Sequence, residues 1–174
     1  MTGAWLGYSF RTIESGDTAK RIPRRLQSQA AAALLSALQT RAPSPALHSK
    51  SHSRAVVAVA LGQAQALGID IEWIDTTRPL GRIASYLEWG DIDRAAFYRG
   101  WTFREAYYKA FQRNPSKDLA ARAMEERPDG TIIEFEDGVR LFQRRVLGSF
   151  QLGLVWKSAG SEVVVPAYLE TPMV

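Results

Sequence analysis

Hydrophobic and polar residues alternate along several short stretches of this chain, and the alternation predicts strands. The clearest stretch runs over residues 67–73, where every second residue is apolar and the positions between them include Asp70 and Glu72. Successive side chains of a strand point to opposite faces, so a strand here buries one apolar face and carries both carboxylates on the other. Two like charges on one face repel each other, and we expect a positive group or a divalent cation between them.

The same reading divides the whole chain into strands and helices. Apolar alternation and short apolar runs predict strands over residues 4–10, 56–61, 68–73, 131–135, 139–142, 150–156 and 163–168. Helical spacing predicts helices over residues 24–39, 80–87, 91–99 and 102–112. Proline marks a loop at residues 42–45, and Asp-Gly pairs at 129–130 and 137–138 provide turns. The predicted fold class is α+β.

Composition bounds the class of protein. A chain of 174 residues with 46% hydrophobic content fits one globular domain. It has no cysteine, which excludes disulfides, a thiol nucleophile and zinc-thiolate sites and leads us to expect a cytoplasmic protein. The apolar run near residues 24–38 begins too far along the chain for a secretory signal. The Arg-rich, acid-poor beginning leaves a transit peptide as an alternative, against which its alternating aromatic residues argue.

Charge divides the chain into a basic first part and an acidic second part. Residues 1–68 carry eight Lys and Arg against two Asp and Glu, a net charge of +6, whereas residues 69–174 carry fourteen against sixteen, a net charge of −2. A phosphate-rich ligand with a bound metal ion would suit both parts, whereas nucleic acid would suit only the first. The basic cluster at residues 20–25 has no interleaved aromatic residues, so it is either a solvated helix face or a phosphate contact.

A second polar segment, WTFREAYYK at residues 101–109, has two interpretations. Taken alone it is an ordinary helix start, because Thr102 and Glu105 fit a capping box and Glu105 and Lys109 fit a favourable i,i+4 ion pair. Trp101 is expected to pack in the core. The neighbouring acidic strand favours the second interpretation, in which Glu105 and Lys109 join Asp70 in one site.

The segments GIDIE at 68–72 and WTFREAYYK at 101–109 together resemble the signature of the 4′-phosphopantetheinyl transferases. These enzymes load the phosphopantetheine arm of coenzyme A onto carrier proteins. Ser-His-Ser at 51–53, followed by an apolar strand, resembles the surfactin-synthetase type of this family. Arg104 stands where the family usually has Lys, and the chain is shorter than most two-half members, mainly before Ser49.

This resemblance implies one domain over residues 1–174, made of two pseudo-twofold-related halves, each an antiparallel sheet packed with helices. The basic half spans about residues 1–65 and the metal-binding half about residues 66–174. Coenzyme A is expected in the cleft between the halves. The expected partner is an apo acyl carrier or peptidyl carrier protein of fatty-acid, polyketide or nonribosomal peptide biosynthesis. Neither nucleic acid nor a membrane is expected as a partner, and the protein is expected to be a monomer.

The resemblance also assigns roles at the metal. Asp70, Glu72 and Glu105 are expected to coordinate Mg²⁺, or Mn²⁺ in its place. Lys109 is expected to bind the cofactor and neutralise the attacked phosphate. Glu105 is also the expected base for the serine proton, and whether it is base as well as ligand stays open.

Three further residues are expected to bind coenzyme A. His52 is expected to contact the 3′-phosphate, helped by Ser51 and Arg25. The alternative for His52 is a loop histidine bonded to the backbone. A catalytically weak or inactive relative that binds coenzyme A or a carrier protein is the alternative for the whole chain.

Overall fold

The computed structural model of the protein describes residues 5–13, 16–40, 47–158 and 164–169. Its strands are β1 (Leu6–Thr12), β2 (Leu47–Ser53), β3 (Val56–Gly62), β4 (Ala66–Trp73), β5 (Ile132–Glu134), β6 (Val139–Val146), β7 (Phe150–Lys157) and β8 (Ala167–Tyr168). Its helices are α1 (Arg24–Gln39), α2 (Leu80–Tyr86), α3 (Arg94–Phe111) and α4 (Lys117–Met124). In this part of the chain no helix is long and apolar enough to cross a bilayer.

The strands form two four-stranded sheets with matching connectivity. The first sheet has the order β2-β3-β1-β8 and the second the order β4-β7-β6-β5. In each half a strand leads through a helix to a hairpin, and the second strand of the hairpin pairs antiparallel with the starting strand. These units are β1-α1-β2-β3 and β4-α3-β6-β7. The expected α+β fold of two sheet-and-helix halves is confirmed, with β8 returning to pair parallel with β1.

The main core lies between the two sheets. Alternate residues of β4 point into it, and Ile69 and Ile71 are fully buried there. On the outer face of the first sheet, α1 buries Leu34 and Leu38. The outer face of the second sheet is covered by α3. The predicted alternation of β4 is confirmed, because its apolar side chains face the core while Asp70 lies on the α3 side, where Lys109 reaches it.

Two glycines bring α3 close to the second sheet. A Cβ on Gly68 would lie 1.9 Å from the carbonyl oxygen of Ala106, and a Cβ on Gly153 would lie 3.1 Å from Thr102. Any larger side chain at Gly68 would therefore collide with the backbone of α3. The close approach is what allows Lys109 of α3 to reach β4.

The helices predicted over residues 91–99 and 102–112 are one continuous helix, α3. Asp93 is its N-cap and accepts a hydrogen bond from the backbone N–H of Ala96 at 2.7 Å. The capping-box interpretation of Thr102 is therefore wrong: Thr102 lies inside the helix and donates its hydroxyl to the carbonyl of Tyr98 at 2.9 Å. Gly100 lies within α3 without ending it, and a Cβ there would come within 2.7 Å of the Met124 side chain, where α4 packs.

The other predicted elements are mostly present, with shifted ends. The helix over residues 24–39 is found as α1, whereas β2 and α4 were not predicted. Ser-His-Ser at 51–53 therefore lies in a strand, so the expected loop position of His52 is wrong, whereas the expected bond of its side chain to the backbone is present. The prolines at 42–45, residue 4 of the first predicted strand and residue 163 of the last lie outside the described residues.

Candidate functional site

Three alternate serines of β2 join the two sheets. β2 and β4 are edge strands of different sheets, and serine hydroxyls accept hydrogen bonds from N–H groups of β4 that do not pair with β7. The pairs are Ser49–Ile69 at 3.0 Å, Ser51–Ile71 at 3.3 Å and Ser53–Trp73 at 3.0 Å. These contacts satisfy the backbone of β4 and fix the strand that carries the two acids at the junction of the halves.

Asp70 is buried at this junction with one of its carboxylate oxygens unpartnered. Its Oδ1 accepts hydrogen bonds from Lys109 Nζ at 2.8 Å and from Ser51 Oγ at 2.8 Å. Its Oδ2 is buried without a hydrogen-bond partner among the described residues. Burial raises the pKa of Asp70, although Lys109 and Ser51 oppose the rise. A buried oxygen of this kind is unfavourable unless a positive group or a donor reaches it.

Glu72 is the second acid on the same face of β4. Burial, and then the charge of Asp70, raise the pKa of Glu72 to about 7. Its oxygens accept hydrogen bonds from Ser53 Oγ at 3.2 Å and Trp101 Nε1 at 3.3 Å. Trp101 also stacks on Phe97 with the ring centroids 6.0 Å apart, so it packs in the core as predicted and contacts the site as well.

Glu105 lies beside the acid pair but is bound elsewhere. Its Oε1 accepts a hydrogen bond from Arg104 Nη1 at 2.7 Å, and 32% of its side chain is exposed. Lys109 does not form its ion pair with Glu105, as the helix pattern suggested, but with Asp70, and it also donates to the carbonyl of Ile69 at 2.9 Å. Within the described part of the chain, no three His, Asp or Glu side chains are close enough together to hold a metal ion.

A cleft of about 370 Å³ opens next to the acid pair. Both halves contribute to its walls, and four of its residues are arginines. It is lined by Arg21, Ile22, Arg24, Gln27, Ser53, Arg54, Glu72, Trp73, Asp75 and Arg78. A cleft with this many guanidinium groups suits an anionic ligand, and Glu72 connects it to the acid pair.

The three predicted binding residues of the first half are differently placed. Ser51 and His52 lie on opposite faces of β2, and the Ser51 hydroxyl is used within the protein. The His52 side chain reaches the surface but is covered in part by its neighbours. This partial burial, and then the charges of Lys109 and Arg24, lower the pKa of the imidazole. Arg25 is exposed on α1, whereas Arg24 lines the cleft. Of these basic residues, Arg24 lines the cleft while His52 and Arg25 are not among its lining residues, and Ser51 has a structural role.

Arg54 is a residue of the cleft that sequence reasoning missed. It lies in the turn between β2 and β3 with φ of 54°, a left-handed conformation uncommon for a residue other than glycine. Its guanidinium lies 4.3 Å from the ring centroid of Trp73 and 3.7 Å from Asp75. Gln27 donates to its carbonyl at 2.8 Å and so ties the turn to α1. Nothing in the local sequence marks this turn, because no glycine occupies it.

Comparison with known proteins gives this site no identity. The chain matches no protein-family model, and it matches no curated protein. Function is therefore inferred from the residues of the site and their geometry.

Proposed function

We propose that this protein transfers the 4′-phosphopantetheine arm of coenzyme A to a serine of an apo carrier protein, in a reaction that requires Mg²⁺ or Mn²⁺. The observation that carries the proposal is the acid pair of Asp70 and Glu72, with Lys109 bound to it and an arginine-lined cleft beside it. The order of the segments at 51–53, 68–72 and 101–109, which resembles that of the 4′-phosphopantetheinyl transferases, also supports the proposal. A cytoplasmic monomer is part of the proposal.

The acid pair has the donor chemistry of a divalent cation site. Asp70 Oδ2 is buried with no hydrogen-bond partner in the described part of the chain. Both acids have raised pKa values, which a cation of charge +2 would lower. Asp70 and Glu72 would hold the ion, and Glu105 would complete the set. When bound, the ion would neutralise charge on the pyrophosphate and the leaving group.

In the proposed reaction, the serine oxygen of the carrier protein forms a bond to the phosphorus attached to pantetheine. The bond between that phosphorus and the bridging oxygen of the pyrophosphate breaks, and 3′,5′-adenosine bisphosphate leaves. Glu105, whose side chain is 32% exposed, accepts the serine proton. Lys109, with 31% of its side chain exposed, neutralises charge on the attacked phosphate.

The cleft residues bind the nucleotide end of coenzyme A. Arg24 and Arg54 provide charge for its phosphates from the first half, and Arg78 provides it from the second. His52, which is not among the lining residues of the cleft, contacts the 3′-phosphate, where the anion would raise the imidazole pKa that partial burial, Lys109 and Arg24 lower in the free protein.

The test is intact-mass measurement of several apo carrier proteins incubated with the protein, coenzyme A and Mg²⁺. We expect a mass gain of one phosphopantetheine group on at least one carrier. Asp70→Asn, Glu72→Gln and Glu105→Gln should each lower the rate at least about a hundredfold, because each removes a carboxylate that would hold the metal ion, and the ion would offset charge on the transferred phosphate. The exposed Glu126→Gln is the matched control and should keep the wild-type rate.

The second candidate function is that of a non-catalytic relative that binds coenzyme A or a carrier protein. It is favoured by the ion pair between Glu105 and Arg104, because this pair occupies the carboxylate that is proposed as ligand and base. Arg104 stands where the family usually has Lys. Stabilisation by coenzyme A in a thermal-shift measurement, without a mass gain on any carrier, would support this second function and contradict transfer.

A further inference from the structure

Arg104 contacts two residues that border the acid pair. Its Nη1 is 2.7 Å from Glu105 Oε1, and its guanidinium carbon lies 5.7 Å from the ring centroid of Trp101. The indole N–H of Trp101 in turn donates to Glu72 Oε1 at 3.3 Å. Arg104 is thus linked directly to one expected metal ligand and through one aromatic ring to another.

We propose that Arg104 is a counter-ion that holds Glu105 out of the metal site, so that a divalent cation engages Glu105 only after displacing Arg104. This inference rests on the proposed function, because it requires a metal site at Asp70 and Glu72. It makes Arg104 a positioning residue, which acts on the site through Glu105.

Glu105 lies near the acid pair, but its carboxylate is bonded to Arg104. Glu105 lies one helical turn before Lys109 in α3, and Lys109 bonds to Asp70 at 2.8 Å, so Glu105 is near the acid pair. Yet Glu105 is not gathered with Asp70 and Glu72 into a metal-holding group within the described residues. Arg104 engages Glu105 Oε1 at 2.7 Å, so a cation that binds this oxygen would have to displace the guanidinium. Guanidinium and metal ion therefore compete for one carboxylate.

The choice of arginine matters to the strength of this hold. A guanidinium is planar, forks toward a carboxylate and stacks on an aromatic face, whereas the ammonium of lysine is a mobile point charge. Arg104 is near both Glu105 and the ring of Trp101, so its position is defined by two contacts. Lysine at this position would keep the charge but hold Glu105 less firmly.

The test is a Mg²⁺ titration followed by the NMR resonance of the Trp101 indole N–H. That group donates to Glu72, so its chemical shift reports cation binding at the acid pair without any catalytic turnover. The chain has five tryptophans, and loss of one peak in Trp101→Phe assigns the signal. Binding is measured for wild type, Arg104→Ala, Arg104→Lys and Arg113→Ala. Arg113→Ala is the matched control, because it removes one positive charge from an exposed position just beyond α3.

Arg104→Ala should bind Mg²⁺ about two- to fivefold more tightly than Arg113→Ala, a range set by the modest strength of a partly exposed ion pair. Arg104→Lys should fall between Arg104→Ala and wild type. In a Glu105→Gln background the difference in Mg²⁺ affinity between Arg104→Ala and Arg113→Ala should vanish, because the carboxylate for which Arg104 and the cation compete is gone.

Two results would overturn the inference in distinguishable ways. If wild type binds Mg²⁺ but Arg104→Ala binds no more tightly than Arg113→Ala, Arg104 does not compete and the proposed function stands. If neither wild type nor the Arg104 variants bind Mg²⁺ while all remain folded by circular dichroism, the metal site and the inference both fail.

Discussion

Folding brings two acids, Asp70 and Glu72, onto one face of β4 with a single lysine in contact. Lys109 bonds to Asp70, while the hydrogen-bond donors to Glu72 among the described residues are neutral, namely the hydroxyl of Ser53 and the indole N–H of Trp101. Desolvation is the main cause of both raised pKa values. The raised pKa values favour the protonated form of both carboxyls unless a further cation binds beside them. This behaviour is expected of carboxylates that bind a cation.

At the scale of one residue, Glu72 should make the free protein less stable as the pH rises. Its ordinary pKa of 4.5 is raised to about 7 in the folded chain. Below the ordinary value the carboxyl is protonated in both the folded and unfolded states. Between the two values only the unfolded chain loses the proton, so stability falls, and the loss is complete above the folded value at about 3 kcal/mol.

Urea unfolding of wild type and Glu72→Gln at pH 5 and pH 8, without divalent cations, checks this expectation. The loss of stability between the two pH values should be smaller in Glu72→Gln by about 2 kcal/mol, because glutamine does not titrate. Glu126→Gln, which alters an exposed acid, should follow wild type. Parallel pH dependences of wild type and Glu72→Gln would show that the pKa of Glu72 is not raised by folding.

At the scale of elements, the contact between α3 and β4 fixes the geometry of the site. Lys109 and Glu105 belong to α3, and the acid pair belongs to β4, so the distance between the elements decides whether these groups meet. Gly68 permits the approach, because a Cβ there would lie 1.9 Å from the carbonyl oxygen of Ala106.

Gly68→Ala should therefore displace α3 and lower both stability and activity. Overpacking against a rigid backbone destabilises proteins by about 1–3 kcal/mol or more. The transfer rate should fall as well, because Lys109 would move away from Asp70. Thermal unfolding and the carrier mass assay measure both effects. Gly81→Ala in α2 is the control, because its Cβ meets nothing within 4 Å and alanine favours a helix. Wild-type stability and rate in Gly68→Ala would contradict the role of this contact.

The elements also show what the sequence could and could not predict. The alternation of β4 and the helix over Arg24–Gln39 depend on local spacing, and both were predicted. The strand β2 was not, because its alternate serines are buried by hydrogen bonds to β4 rather than by hydrophobicity, and that partner is distant in sequence. Helix α4 has a local signal that was overlooked: Ser116 caps it by accepting from the N–H of Leu119 at 3.3 Å.

The site was predicted in its residue types more fully than in its contacts. Asp70, Glu72 and Lys109 could be assigned from motifs, and the structure brings Asp70 and Lys109 within 2.8 Å of each other. The pairing of Glu105 with Arg104 could not be predicted, because adjacent helix residues do not normally face each other. Arg54 reaches the cleft through a turn conformation that no local residue type requires.

At the scale of the whole molecule, the charge division of the sequence becomes a division between the walls of one cleft. Arg21, Arg24 and Arg54 come from the first half, while Glu72 and the residues after it come from the second. The serines of β2 join the two halves where the walls meet. A single chain therefore provides residues on both sides of the cleft.

We therefore expect a monomer whose site is complete within one chain. Light scattering should give a mass near 19.4 kDa for this chain.

A complementation test asks more directly whether the site lies within one chain. Arg24→Ala damages one wall of the cleft and Glu72→Gln damages the other. The two variants are mixed in equal amounts in the carrier mass assay. If each chain holds its own site, the mixture should show only the average of the two separate rates. If the site lay between two copies, mixed dimers would contain one undamaged site, and the rate would recover to about a quarter of the wild-type value. Such recovery would contradict a self-contained site, whereas a stable dimer or trimer by light scattering would contradict the expected monomer.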